Sequence, residues 1–82
     1  MNHQYDAKVQ PDTKRPFRIY NATTKKFLPW RCYKHVRNAH MGAMVDCRWA
    51  AVGHTLEVVD VSIMQMHGQY RRGTNDIKFF KG

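Results

Sequence analysis

Cys32, His35, His40, Cys47 and His54 are the side chains of this chain whose types suit metal binding or nucleophilic chemistry. Structural zinc is held by close ligand pairs, two cysteines and two histidines each a few residues apart. On a helix, the step from His35 to His40 turns the two rings about 140° away from each other. Cys32 and Cys47 would share a helical face, but roughly 22 Å apart, too far for a common metal or a disulfide. They read as structural thiols, and no metal or cofactor is expected. Catalysis finds no better support. Ser62 is the only serine and lacks the glycine-flanked turn of a nucleophile elbow. A Cys47–His40 couple on one helix would be held about 10 Å apart. The six carboxylates are scattered, and no glycine-rich phosphate loop occurs. The chain reads as a non-enzyme.

The chemistry that does stand out is charge. Fourteen Lys and Arg against six Asp and Glu give a formal +8 on 82 residues. Such a density attracts phosphates and acidic protein surfaces alike. Its display is more specific than its total. From about Tyr33 to Ala51 the pattern is helical, with Cys32, Val36, Ala39, Ala43, Cys47 and Ala50 on one small-residue stripe. The opposite side carries Lys34, Arg37, Met41, Val45 and Arg48. Three cations around two apolar residues make a contact surface, in which charge steers and desolvated Met and Val bind. The alternative is a solvated face kept soluble by its cations. A second cluster, Tyr70, Arg71 and Arg72, has Lys78 as its expected cross-strand neighbour. It suits stacking on a base or pairing with a phosphate, or equally an edge strand guarded by charge.

The elements that must position these residues follow from the rest of the pattern. A hydrophobic content of 43% with two Trp, four Tyr and four Phe supports a small packed core. Residues 1–15 form a basic arm without periodicity, and residues 16–82 form one domain. Phe17–Tyr20 alternates as a strand, Asn21 to Lys26 is turn chemistry, and Phe27–Trp30 is a second strand. Pro29 marks that second strand as short or at an edge. Gly53 suits a left-handed helix cap, while no side chain stands ready to cap the helix start. Thr55–Val61 reads as a central strand, and Ile63–Arg72 as another with a bulge at Gly68. Gly73–Asp76 turns into a final strand, Ile77–Phe80. The expected fold is α+β in the order ββαβββ, an antiparallel sheet of four or five strands with one helix on a face. No apolar run approaches a bilayer span and no signal-peptide core is apparent. Free thiols then suggest the cytoplasm.

Phe17-Arg18-Ile19-Tyr20, the helix with Ala39, Ala43 and a late Trp49, and Gly53 followed by Leu56-Glu57-Val58-Val59 have a familiar outline. It resembles small phage host-takeover proteins, in particular the inhibitors of bacterial RNA polymerase made by short-tailed phages. The resemblance covers about half the chain. The helix here is basic where that family's is acidic, and a C-terminal hairpin is added, so no residue role carries over. The resemblance implies a binding protein that modulates or inhibits a host nucleic-acid machine: a polymerase, nuclease or defence complex. The expected partner is an acidic surface of such a protein or nucleoprotein complex, with no membrane involved. Direct DNA or RNA binding without strong sequence choice is the other expectation.

Overall fold

The computed structural model describes residues 14–82. Of the arm expected at residues 1–15, only Lys14 and Arg15 fall within them. Alternating positions form strand β1 (Phe17–Asn21), and the apolar run Phe27-Leu28-Pro29-Trp30 lies in strand β2 (Lys26–Tyr33). The small-residue stripe forms helix α1 (Val36–Trp49), and β3 (Thr55–Asp60), β4 (Gln65–Arg72) and β5 (Ile77–Lys81) complete the chain. The five strands make one antiparallel sheet in the order β2-β1-β3-β4-β5. The Val-rich β3 is central, as its composition suggests.

Helix α1 crosses one face of the sheet and touches all five strands. Its fully buried residues are Ala39, Ala43 and Cys47, packed on Ile19, Leu56, Val58 and Tyr70. Small side chains at the contact let the helix backbone lie close to the sheet. The opposite face has its own smaller cluster, in which Tyr20, Val59 and Val61 pack with Ala22 and Phe27. Neighbours in sequence thus enter different clusters, Val58 under the helix and Val59 on the far side, as period-2 alternation requires.

Several local expectations are corrected. β2 continues through Cys32 and Tyr33, which pair with Arg18 and Phe17 of β1. These two residues are therefore on a strand, and Cys32 does not share a helix face with Cys47. The ladder takes the backbone as far as Tyr33, and no capping side chain starts a helix there. His35 occupies the N-cap in an extended conformation with no side-chain bond to the first turn. The β1–β2 ladder is irregular opposite Ile19, over residues 28–31, where Pro29 has no N–H to give. As expected for a strand with a proline, β2 is an edge among the described residues; its eight residues make it longer than expected.

Gly53 does not cap the helix. The helix ends at Trp49, with Ala50 extended, and Gly53 (φ 91°) instead serves the turn into β3. Its N–H donates to the Arg72 carbonyl at 2.7 Å. β4 starts at Gln65, because residues 61–64 form a turn with Met64 at positive φ. The bulge expected at Gly68 falls one residue earlier: Gly68 pairs with Val58 and Met66 with Val59, leaving His67 as the extra residue. The turn after Asn21 forms as expected, the Asn21 side-chain oxygen accepting from the N–H groups of Thr23 and Thr24 at 2.9 and 3.0 Å.

Candidate binding surface

Helix α1 is oriented by contacts on both flanks. On the β2 side, Arg31 donates to Asp46 at 2.6 Å, and the Tyr33 ring lies over Gly42. A side chain at residue 42 would meet the Tyr33 hydroxyl, so Gly42 is the notch into which the tyrosine fits. On the β4 and β5 side, His40 shares a 2.8 Å hydrogen bond with the Tyr70 hydroxyl and packs edge-on against Phe79. Burial lowers the His40 pKa, and the charge of His67 lowers it further. These contacts fix which side of the helix faces outward.

Arg37, Met41, Met44, Val45, Arg48 and Trp49 fall within about 140° of one another around the helix axis. All six are exposed. Trp49 leaves 84% of its surface in solvent, Met41 61%, Val45 48% and Met44 46%. Val52, in the turn after the helix, is exposed as well. The only carboxylate of α1, Asp46, is turned toward Arg31. The outward face therefore combines apolar surface with positive charge alone. Beside it, Met44 and Arg48 form one wall of an open cleft of about 550 Å³ whose other wall is the β4–β5 turn, Thr74 to Ile77.

Arg37, Met41, Val45 and Arg48 are thus together on one face, as their spacing implies. Lys34 is exposed but precedes the helix, on the connection from β2, so it is not part of the helical face. The second cluster is divided by strand alternation. Tyr70 is a core residue, buried under the helix and bonded to His40, and cannot stack on a base. Arg72 is half-buried, its guanidinium donating to the carbonyls of Gly73 and Thr74. Arg71 stands exposed on the opposite face, with Lys78 as its cross-strand partner as expected. Phe80 is 47% exposed beside them. On the same face Glu57 is fully buried and accepts from the Gln69 side chain at 2.5 Å.

Sequence reasoning missed Met44 and Trp49 as members of the surface. The signal for Trp49 was present, since Met41, Val45 and Trp49 repeat at i, i+4 and i+8. Phe79 and Phe80 are both exposed, which the pattern of their strand does not signal. Cys47 is buried, its thiol directed at the Tyr70 carbonyl at 3.6 Å, and burial pushes its pKa up. Among the described residues no three His, Cys, Asp or Glu side chains gather as a metal site, and no helix is long and apolar enough to cross a membrane. No known protein family, curated protein or solved structure matches the chain.

Proposed function

We propose that the protein is a small basic non-enzymatic binding protein of phage type, which docks the outer face of α1 on an acidic surface of a host nucleic-acid machine and so modulates or inhibits it. Polymerases, nucleases and defence complexes are the candidate targets. The observation that carries this reading is the face itself, Trp49, Met41, Val45 and Met44 exposed alongside Arg37 and Arg48 with no free carboxylate on the helix. Exposed apolar surface rimmed by charge marks interaction sites, and Trp and Arg are the residues that most often dominate binding energy. The +8 charge favours an acidic partner and speeds encounter with it. The choice of a nucleic-acid machine rests on that charge together with the outline shared with phage inhibitors.

Direct binding of DNA or RNA is the second reading, favoured by Arg71, Lys78 and the exposed Phe80 on the other face of the sheet. An aromatic ring beside a pair of cations offers a stacking platform for a single strand. Affinity capture from a bacterial lysate, with and without nuclease, separates the two. One dominant protein retained after nuclease treatment supports docking through α1. Recovery that disappears with nuclease, and affinity for purified nucleic acid that falls steeply with salt, supports the second reading.

A further inference from the structure

β5 is the last strand of the sheet, paired with β4 on one side and, among the described residues, with nothing on the other. Four of its five residues are exposed. The backbone bonds flanking it, Gly73 N–H to Asp76 at 2.8 Å and Gly82 N–H to His67 at 3.3 Å, set the phase of the antiparallel ladder. Hydrogen-bonded pairs alternate with unbonded ones. Lys78 and Phe80 therefore spend their backbone groups on β4, whereas Ile77, Phe79 and Lys81 turn theirs outward. Side chains alternate as well. Phe79 lies on the helix side, against Tyr70, and Phe80 on the other, so an aromatic ring flanks the edge on each face.

We propose that the β5 edge takes up an extended acidic segment of a partner protein as a sixth strand. This surface is separate from the outer face of α1 and does not depend on docking there. Main-chain bonds at Ile77, Phe79 and Lys81 supply the register, and alternating side chains supply the choice of partner. Lys78 and Lys81 lie on the strand and Arg71 beside it, so acidic residues complement the edge and apolar ones cover Phe79 and Phe80. A second copy of the chain is the poorer occupant, because it brings its own +8 and its own Lys78 and Lys81 to the seam. Lysines on an edge strand are the ordinary guard against such self-pairing.

The test uses the full chain and a dye-labelled eight-residue peptide of valine pairs alternating with glutamate pairs, which presents both residue types on each face of the strand. Saturable binding is expected, with the largest amide shift changes in NMR at Ile77, Phe79 and Lys81. The double variant Lys78→Glu/Lys81→Glu should bind at least tenfold more weakly, and Arg37→Glu/Arg48→Glu within twofold of the native chain. Lys81→Pro removes one outward N–H without touching the β4 ladder, and should weaken binding with an unchanged circular dichroism spectrum. The proposal is overturned if a valine–lysine peptide, or the acidic peptide with proline at alternate positions, binds as well. Shift changes confined to α1, or dimerisation of the free chain through β5 in sedimentation equilibrium, would overturn it too.

Discussion

Replacing Gly42 by alanine raises the intrinsic helix propensity of α1, yet it should bring this protein no stability. In an exposed helix the exchange gains about 1 kcal/mol. Here the new methyl enters space held by the Tyr33 hydroxyl and the ring carbon that bears it. Tyr33 is half-buried on β2, packed against the helix-side core, and its ring has only two torsions with which to retreat. Overpacking of this kind costs about 1–3 kcal/mol, so the net change runs from neutral to a loss of about 2 kcal/mol. A double-mutant cycle isolates the cause. In a Tyr33→Ala background the notch is empty, and Gly42→Ala should then stabilise by about 1 kcal/mol. Urea unfolding followed by circular dichroism reads both legs, with the transition slope required to stay constant. A Gly42→Ala substitution that stabilises the native chain as much as the Tyr33→Ala chain would refute the fit of Tyr33 into Gly42, and with it the orientation of the outer helix face.

The two thiols should differ in reactivity. Cys47 is buried with a raised pKa, and Cys32 is half-buried on an edge strand. A thiol reagent on the native protein should therefore give a fast phase from Cys32 and a slow one from Cys47, and Cys47→Ala should remove only the slow phase; equal rates would contradict the burial of Cys47. Stability should depend on pH through His40, whose folded pKa lies below its ordinary 6.5 because burial penalises the charged ring. The unfolded chain then takes up the proton first, so stability is complete above that value, declines as pH falls below it, and levels off beneath the folded pKa. His40→Gln should flatten this part of a melting-temperature profile, and an unchanged slope would contradict the assignment.

The alternation in β1, the valine-rich β3, the turn at Asn21 and the Ala39–Ala43–Cys47 stripe were legible because each rests on local spacing or composition. The errors cluster where local rules ran out. Cys32, Tyr33 and Lys34 continue a helical pattern on paper, but pairing with β1 claims the first two for β2 and leaves Lys34 in the connection. Tyr70 sits in sequence among basic residues, and only the strand phase sends it under the helix while Arg71 faces the other way. Gly53 has the conformation expected of it and a different use, because its N–H meets Arg72, nineteen residues on. The Arg31–Asp46 pair, which strips the outer helix face of negative charge, joins β2 to α1 and has no signature in local sequence.

Photocrosslinking tests the central claim most directly. A benzophenone amino acid at Val45 places the probe in the outer face of α1, and the same residue at Ser62 places it in the exposed β3–β4 turn as a control. In a nuclease-treated bacterial lysate, irradiation should join the Val45 probe to one dominant host protein, with no such adduct from the Ser62 probe. An adduct from Ser62 alone, or none from either position in a lysate where the chain still inhibits its target, would contradict docking through this face.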